Sequence, residues 1–262
     1  MTRILIMGLP GSGKTHLAKI LKKKINADWI NADTIRKKYK DWDFSKQGII
    51  RQSLRMYKIS KESKKKNIIA DFICPFNQTR KIFKADFTIW MNTIQKSRFD
   101  KMNKIFQKPK KINYEIRDFN SKLHSIIISD MLQNYKWSNK KPTSLMMGRF
   151  QPFHKGHIKL FEKILILKGQ VLIFIKDVYE VADNPFNFSE IKKMIEVKFN
   201  KLYKNRYKIL KAPNITNICY GRTVGYKFNH IKLPLEVQKI SATKIREQLR
   251  SEKKLSRIKK IN

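Results

Sequence analysis

The chain has 262 residues, of which 41% are hydrophobic, enough for one large or two modest domains because a domain usually holds roughly 100 to 150 residues. No apolar run approaches the roughly 20 residues that a membrane span requires. The first apolar segment, TRILIMG, leads into a glycine-rich loop rather than a signal-peptide cleavage site. These features exclude a membrane partner and predict a cytoplasmic protein.

The formal net charge of +39 predicts attraction to polyanions. The lysines are spread along the whole chain together with many Ile and Asn residues, a pattern that an AT-rich coding sequence produces without selection for a partner. No zinc-finger, RNP-type or helix-turn-helix spacing accompanies the charge. We therefore expect nucleic acid to bind only non-specifically, through charge.

The two cysteines, Cys74 and Cys219, are far apart and lack CxxC spacing. This spacing argues against a disulfide framework and against a zinc site. We expect both to be buried thiols.

The segment GLPGSGKT at residues 8–15 has the spacing of a P-loop, and it lies between an apolar strand, RILIM, and a helix, HLAKILKKK. Glycines in such a loop direct backbone N–H groups at a phosphate, and the helix N-terminus adds its positive end. Lys14 is expected to reach the outer phosphates, and the Thr15 hydroxyl to bind Mg²⁺. The predicted nucleotide-binding residues are Gly8, Gly11, Ser12, Gly13, Lys14 and Thr15.

Two later segments offer groups for a phosphoryl acceptor. NADTIR supplies Asp33 and Arg36, and DFICPFNQTR supplies an apolar strand carrying Asp71 and then a loop with Arg80. A carboxylate near a P-loop holds Mg²⁺ or accepts the proton of an attacking hydroxyl, and arginines clamp an anionic substrate. We interpret Lys14 and Asp33 as catalytic, Asp71 as a Mg²⁺ ligand together with Thr15, and the arginines as acceptor-binding.

These motifs, in this order and over roughly residues 1 to 115, resemble adenylylsulfate kinase and its relatives. The resemblance implies a doubly wound P-loop domain that uses ATP and Mg²⁺, with Asp33 near the transferred phosphate and Arg36 and Arg51 binding the acceptor. The family usually has glycine at the position of Ala32 and serine at that of Cys74. These two departures leave the acceptor open.

Residues 117–135 have helical apolar spacing that includes Phe119, and the polar segment KWSNKKPT follows them. We place a domain boundary near residue 140. The predicted organisation is thus a kinase domain over residues 1–140 and a second domain over residues 141–262.

The second domain contains GRFQPFHKGH at residues 148–157, between a strand, SLMMGRF, and an amphipathic helix, HIKLFEKILIL. His154 and His157 therefore lie at a strand-to-helix turn. Imidazoles at such a turn stabilise charge on a phosphorus undergoing substitution, with help from the helix N-terminus. We interpret both histidines as catalytic.

The segment KISATKIREQL at residues 239–249 predicts a second anion-binding helix start. Ser241 is expected at the N-cap, with Arg246 in the first turns of the helix. Ser241, Thr243 and Arg246 are the predicted nucleotide-binding residues of this segment.

GRFQPFHKGH, NPFNFSEIKKMI and ISATKIR, in this order, are similar to the nucleotidylyltransferase superfamily that includes cytidylyltransferases and nicotinamide-mononucleotide adenylyltransferases. The resemblance implies a Rossmann-like sheet and in-line attack by a substrate phosphate on the α-phosphorus of ATP or CTP, with release of pyrophosphate. It also implies that Asp183 and Asn184 border the acceptor. Nucleotide-binding residues that it adds are Gly148, Arg149, Phe150, Lys155 and Gly156.

Alternation of strands and helices continues through VLIFIKD, SEIKKMIEVKF, YKILKA and ITNICYG, which predicts a parallel sheet. Arg222, between two glycines, is interpreted as part of a structural turn. The predicted fold class is α/β in two domains, a doubly wound P-loop sheet followed by a Rossmann-like one.

The leading hypothesis is a bifunctional enzyme that phosphorylates one small molecule and transfers AMP or CMP to a phosphorylated small-molecule acceptor. One alternative is NAD synthesis from nicotinamide mononucleotide and ATP. A second alternative, from another class, is a nucleic-acid-binding or polynucleotide end-processing protein. The sequence leaves a homo-oligomer open.

Overall fold

The structure is a computed structural model, and its described part comprises residues 1–180, 183–199, 202–219, 221, 225, 227–252 and 254–255. The chain divides into two compact units, Met1–Asn134 and Tyr135–Asn262. The division falls just after the helix that precedes KWSNKKPT.

The first unit is built on a five-stranded sheet in which all strand pairs are parallel, in the order β2-β3-β1-β4-β5. Its strands are β1 (Thr2–Met7), β2 (Asp28–Asn31), β3 (Asn67–Asp71), β4 (Phe87–Met91) and β5 (Tyr114–Ile116). Its helices are α1 (Lys14–Lys24), α2 (Ala32–Lys38), α3 (Lys46–Ser60), α4 (Asn77–Phe83), α5 (Asp100–Ile105) and α6 (Ser121–Gln133).

Helices cover both faces of this sheet. Ile4 and Ile6 of β1 pack in one buried cluster with Leu17 of α1, whereas Leu5, from the opposite face of the same strand, packs with Met56 of α3 in another. Alternate residues of one strand therefore supply two separate cores, because successive side chains point to opposite faces. The predicted doubly wound α/β fold is confirmed.

The helix predicted over residues 117–135 is shorter than expected. Asn120 caps α6 by accepting a hydrogen bond from the Leu123 N–H, at 3.3 Å. Phe119 thus lies before the helix and is 59% exposed. Including it in the apolar face was wrong, because an N-cap Asn competes for the backbone donors and begins the helix later.

The second unit has a three-stranded parallel sheet in the order β6-β7-β8 among its described residues. Its strands are β6 (Ser144–Gly148), β7 (Val171–Lys176) and β8 (Tyr207–Ala212). Its helices are α7 (Lys155–Lys168), α8 (Phe188–Phe199), α9 (Leu235–Gln238) and α10 (Ala242–Ser251). The predicted parallel sheet is confirmed.

Two expectations about the second unit were wrong. Residues 215–219, from the predicted strand ITNICYG, form no strand, and Ile218 is 55% exposed. Cys219 is exposed, whereas Cys74 is buried as predicted. The segment follows Pro213 and Asn214 and its few apolar side chains find no core, so the β-branched residues alone do not make a strand. Arg222 lies outside the described residues.

Of the helices that the structure describes, none combines the length and the apolar character needed to cross a membrane.

Candidate active sites

The first site is the loop that joins β1 to α1. Gly11 and Gly13 have φ angles of 84° and 89°, which side chains with a Cβ rarely adopt. A Cβ added at Gly8 would lie 2.5 Å from the Met91 carbonyl oxygen. Ser12 is fully buried beneath the loop, where its N–H donates to the Leu9 carbonyl at 3.2 Å. The predicted glycine loop therefore has the backbone form that a phosphate cradle requires.

Lys14 and Thr15 make different hydrogen bonds at this site. The Lys14 ammonium donates to the Leu9 carbonyl at 2.8 Å, so it curls over the loop. Burial lowers the pKa of Lys14 to about 8, and the charges of Asp71 and Asp33 partly oppose that shift. The Thr15 hydroxyl donates to an Asp71 carboxylate oxygen at 2.7 Å.

Asp71 is held by residues from three segments at the carboxyl edge of the sheet. It ends β3 beside Asn31 of β2 and Ile6 of β1. Besides Thr15, it accepts hydrogen bonds from the Trp29 indole at 2.8 Å and from the Asn31 amide at 3.1 Å. Burial raises the pKa of the Asp71 carboxyl, against these hydrogen bonds. The sequence indicated neither Trp29 nor Asn31 as a partner of this carboxylate.

A cleft of about 1110 Å³ opens at this edge and brings most of the predicted kinase residues together. Asp33 is exposed in the first turn of α2 and lines the cleft, as do Lys14, Thr15, Arg36 and Asp71. Asp33 is near enough to Lys14 to raise the pKa of its ammonium. The cleft thus brings together a P-loop, the Lys14 cation, the hydrogen-bonded pair of Thr15 and Asp71, and the exposed carboxylate of Asp33.

The three predicted acceptor arginines occupy different positions. Arg36 lines the cleft, where one end of its guanidinium donates to the Asp41 and Asp43 carbonyls at 2.9 and 3.1 Å. Arg51 lies outside the cleft and forms ion pairs with the carboxylates of the same two residues, at 2.9 and 3.1 Å. Arg80 also lies outside the cleft lining and donates to main-chain carbonyls, including that of Cys74 at 3.1 Å.

The cleft contains residues that the sequence analysis missed. Its outer part carries three exposed aromatic side chains, Trp42, Phe44 and Phe99. The Arg36 guanidinium lies over the Phe44 ring, 4.5 Å from its centroid. Further cations of the lining are Lys96, Arg98 and Lys101. The aromatic residues next to charged ones in DWDFSK and SRFDK were the available sequence signal.

The second site lies at the N-terminus of α7, where His154 is the N-cap. Its Nδ1 accepts a hydrogen bond from the Gly156 N–H at 3.1 Å, and the Nδ1 of His157 accepts one from the His154 N–H at 3.2 Å. A neutral imidazole that accepts at Nδ1 carries its proton at Nε2. The two rings are stacked, with centroids 3.8 Å apart. The helix start therefore holds two neighbouring Nε2–H donors.

Burial disfavours the charged form of both histidines. His157 packs on the rings of Phe150 and Phe153, with centroids at 5.0 and 5.4 Å. Burial, followed by the charge of His154, lowers the pKa of His157 to about 3, and burial also lowers the pKa of His154. His157 is thus a neutral hydrogen-bond donor throughout the physiological pH range.

Gly156 is required by the stacked pair. A Cβ at this position would lie 2.9 Å from Cε1 of His154, closer than real side chains approach. We expect Gly156→Ala to displace the His154 ring and lower the rate of pyrophosphate release. The measurement is the rate of pyrophosphate release, with Lys168→Ala, an exposed residue in the last turn of the same helix, as the comparison. Equal rates of pyrophosphate release in Gly156→Ala and wild type would contradict the conclusion that the stacked histidines require glycine at this position.

The lowered pKa of His157 also predicts a pH dependence of stability. The unfolded chain binds a proton at this residue near pH 6.5, whereas the folded chain binds it only near pH 3. The contribution of neutral His157 to the free energy of unfolding is therefore complete above pH 6.5 and is lost as the pH falls toward 3. Unfolding midpoints measured from pH 7 to 4 should fall more steeply in wild type than in His157→Asn, and identical slopes would contradict the assignment.

Arg246 connects the three motifs of the second unit. Its guanidinium donates to the Gln151 carbonyl at 2.6 Å, to the Asp183 carboxylate at 2.7 Å and to the Thr243 hydroxyl at 3.2 Å. The Gln151 amide in turn exchanges hydrogen bonds with the Phe186 main chain, at 2.7 and 2.9 Å. GRFQP, NPF and ISATKIR are thus held together, and Arg246 is 8% exposed at their junction.

Asp183 has a second cationic partner that the sequence analysis missed, Arg250, at 2.6 Å. The signal was its spacing, because a residue four positions after Arg246 lies on the same face of a helix. Asn184 is buried next to this ion pair, with 3% of its surface exposed. The predicted acceptor role of Asp183 and Asn184 stays a prediction.

The remaining predicted residues frame the site. Ser241 is the N-cap of α10, as predicted, and accepts from the Lys244 N–H at 3.5 Å. A Cβ at Gly148 would lie 2.9 Å from the Phe150 ring, which is itself buried against His157. Arg149 and Lys155 are exposed on either side of the histidine turn.

The fold and the sites define two classes of nucleotide-handling domain. A parallel sheet with a P-loop after its first strand and Asp71 at the end of β3 is the arrangement of P-loop kinases. A parallel sheet whose first strand leads through two histidines into a helix N-terminus resembles the nucleotidylyltransferases.

Comparisons with known proteins agree with this division. Residues 1–109 match the family model described as adenylylsulphate kinase, and residues 145–209 match the one described as cytidylyltransferase-like. The two matches support a transferase enzyme.

Two curated relatives are nicotinamide-nucleotide adenylyltransferases. The one from Thermoplasma acidophilum is 37% identical over 60 residues, which are 22% of this chain and 34% of that protein. The one from Pyrococcus abyssi is 35% identical over 74 residues, 27% of this chain and 40% of that protein. The chain thus spans well under half of the length of these relatives.

Solved structures similar to this chain include the adenylylsulfate kinase of Mycobacterium tuberculosis in complex with AMPPNP and APS, at 17% identity and a TM-score of 0.45, covering 50% of this chain and 97% of that one. Shikimate kinase from Acinetobacter baumannii is 15% identical with a TM-score of 0.39, covering 51% of this chain and 94% of that one.

Proposed function

We propose that the chain is a bifunctional enzyme. Its first unit transfers the γ-phosphate of ATP to a small-molecule acceptor, and its second unit transfers AMP or CMP to a phosphorylated small molecule and releases pyrophosphate. The observation that carries the proposal is the stacked pair of neutral histidines at the start of α7, 3.8 Å apart between ring centroids, in a chain that also has a complete P-loop.

In the second unit, a phosphate oxygen of the acceptor attacks the α-phosphorus of the nucleoside triphosphate. The bond to the bridging oxygen of the β-phosphate breaks, and pyrophosphate leaves. Negative charge grows on the phosphate oxygens during this exchange, where the Nε2–H groups of His154 and His157 and the N-terminus of α7 donate. Because the histidines are neutral, they stabilise charge by donation rather than by giving up a proton.

In the first unit, the acceptor hydroxyl attacks the γ-phosphorus and ADP leaves. The P-loop backbone and Lys14 hold the β- and γ-phosphates, and Asp33 is the carboxylate placed to accept the hydroxyl proton. Burial lowers the pKa of Lys14 to about 8. The negative charge of a bound phosphate stabilises the ammonium in place of the water that burial removes, so Lys14 is fully protonated when the nucleotide is bound.

The oxygen ligands in this unit fit Mg²⁺. The Thr15 hydroxyl and the Asp71 carboxylate lie 2.7 Å apart at the P-loop, and hydroxyl and carboxylate oxygens are the hard ligands that Mg²⁺ prefers. The Thr15 hydroxyl and the Asp71 carboxylate would hold the ion. When bound, Mg²⁺ neutralises charge that develops on the transferred phosphate.

The second candidate for the transferase reaction is NAD synthesis, with nicotinamide mononucleotide as acceptor and ATP as nucleotide donor. The two curated relatives favour it, because both are nicotinamide-nucleotide adenylyltransferases. It is a special case of the general proposal, since nicotinamide mononucleotide is a phosphorylated small molecule.

The test is pyrophosphate release by the purified chain with ATP or CTP against a panel of acceptors: nicotinamide mononucleotide, phosphosugars and sulfate. Mass spectrometry of the products identifies the nucleotide and the acceptor that react. We expect release with one nucleotide and one phosphorylated acceptor, and loss of that release in His157→Ala. Release with sulfate alone would overturn the phosphorylated acceptor, because sulfate would then receive the nucleotidyl group, and no release with any pair would overturn the transferase assignment.

A further inference from the structure

The edge of the first unit's sheet opposite the P-loop is rich in cations. In a parallel sheet all strands begin at one edge and end at the other, so the loops that precede β2, β3 and β4 lie with the start of β1. One lysine run, KKK at residues 22–24, is the last turn of α1 before β2, and a second, KKK at residues 64–66, lies in the loop before β3. We call this set the basic edge: Arg3, Lys22, Lys23, Lys24, Lys61, Lys64, Lys65, Lys66 and Lys84.

Hydrogen bonds show that these loops are neighbours. The Thr2 N–H donates to the Lys66 carbonyl at 2.7 Å, and the Asp86 N–H donates to the Arg3 carbonyl at 2.9 Å. The Lys65 ammonium donates to the Asn26 side chain at 3.1 Å. The order β2-β3-β1-β4 therefore places the lysine runs side by side in a continuous row.

Carboxylates neutralise only part of the positive charge of this row. Asp86 is 4.0 Å from the Arg3 guanidinium and Asp28 is 3.6 Å from the Lys65 ammonium. The side chains of Lys61, Lys64, Lys66 and Lys84 are exposed.

Three of the cations converge on one aromatic ring. Arg3, Lys61 and Lys84 lie 5.2, 4.8 and 5.6 Å from the centroid of Tyr57, each from a different segment. Hydrogen bonding from Lys61 is the first cause of a lowered pKa at the Tyr57 hydroxyl. Like charges gathered around one ring repel each other, and an anion bound between them would relieve that repulsion.

The row of cations is extended, so it matches a linear anion better than a single phosphate. Neighbouring strands are about 4.8 Å apart, so the loops before four strands extend over roughly 15 Å. We propose that the basic edge binds the phosphodiester backbone of a single-stranded nucleic acid. It does so at the sheet edge away from the P-loop, independently of the two transferase reactions.

The test compares two triple variants in the full chain. Lys61→Gln/Lys64→Gln/Lys66→Gln removes three charges from the basic edge. Lys193→Gln/Lys198→Gln/Lys204→Gln removes three charges from exposed positions of the second unit. Binding of a fluorescein-labelled 20-nucleotide RNA is measured by anisotropy over a range of salt concentrations, with circular dichroism as the check on folding.

For a single strand, each phosphate contact contributes about 0.7 to the slope of log affinity against log salt. Loss of three contacts should lower the slope by about 2, which is a loss on the order of 10²-fold at 0.1 M salt. The control variant should keep the wild-type slope, and MgATP should not displace the RNA.

Several outcomes would overturn the proposal. Equal losses in the two variants would mean that charge over the whole chain attracts the RNA. Displacement by MgATP would place the RNA in the P-loop cleft, and displacement by millimolar inorganic phosphate would indicate a site for a single anion. Loss of binding to phosphatidylserine vesicles with unchanged RNA binding would assign the edge to a lipid surface.

Discussion

Replacement of Lys14 by alanine is expected to lower phosphoryl transfer at least 10²- to 10³-fold and to leave pyrophosphate release unchanged. Lys14 is the only P-loop side chain that brings a positive charge to the phosphates, and its ammonium already curls over the loop toward the Leu9 carbonyl. Removing one preorganised donor to a transferred phosphate costs about this much. Pyrophosphate release is unaffected because the histidine turn belongs to the other unit.

The measurement is ADP formation and pyrophosphate release by the same preparation. Lys19→Ala is the matched control, because Lys19 is exposed on the same helix and lies outside the cleft lining. If Lys14→Ala lost both activities while remaining folded, the two sites would not be independent, and a single site would have to serve both reactions.

Replacement of His157 by alanine is expected to slow pyrophosphate release by about 10²- to 10³-fold, the cost typical of one transition-state donor. Its Nδ1 accepts from the His154 N–H, so the change also removes the contact that fixes the turn. Phosphoryl transfer by the first unit should continue at the wild-type rate.

His230→Ala is the control for this variant, because His230 is an exposed histidine of the same unit. His157→Asn adds a second comparison, since its side-chain oxygen can still accept from the His154 N–H while the Nε2–H donor is gone. If both His157 variants released pyrophosphate like wild type, His157 would be a structural residue of the turn.

Local motifs allowed much of both sites to be predicted. The P-loop and the HKGH turn depend on consecutive residues whose backbone form is nearly dictated by their glycines, as the φ angles of Gly11 and Gly13 illustrate. The cap at Ser241 is equally local. Such features need few long-range contacts, so a short sequence pattern suffices to locate them.

Features that depend on distant contacts could not be predicted in this way. Arg51 was interpreted as acceptor-binding from its place in a motif. In the structure it forms ion pairs with Asp41 and Asp43, and no rule of sequence spacing predicts these pairs. Similarly, Arg246 was predicted as a phosphate ligand, and its guanidinium instead bridges Gln151 and Asp183. Its use as a phosphate ligand stays a prediction.

The segment ITNICYG, which was predicted as a strand, shows a second limit of prediction from sequence. Its apolar residues alternate well enough to resemble a strand, but whether they form one depends on a neighbouring strand and a core to bury them. Ile218 is 55% exposed and has neither. The exposure of Cys219 follows from the same cause, because a residue of a surface segment has no core to enter.

The most direct test of two independent transferase sites is ³¹P NMR of a mixture of ATP and CTP incubated with the full chain, an acceptor hydroxyl compound and its phosphorylated form. The account predicts two sets of product signals, ADP and pyrophosphate, with ADP lost in Lys14→Ala and pyrophosphate lost in His157→Ala. Loss of both signals in either folded variant, or no pyrophosphate with any acceptor in wild type, would contradict it.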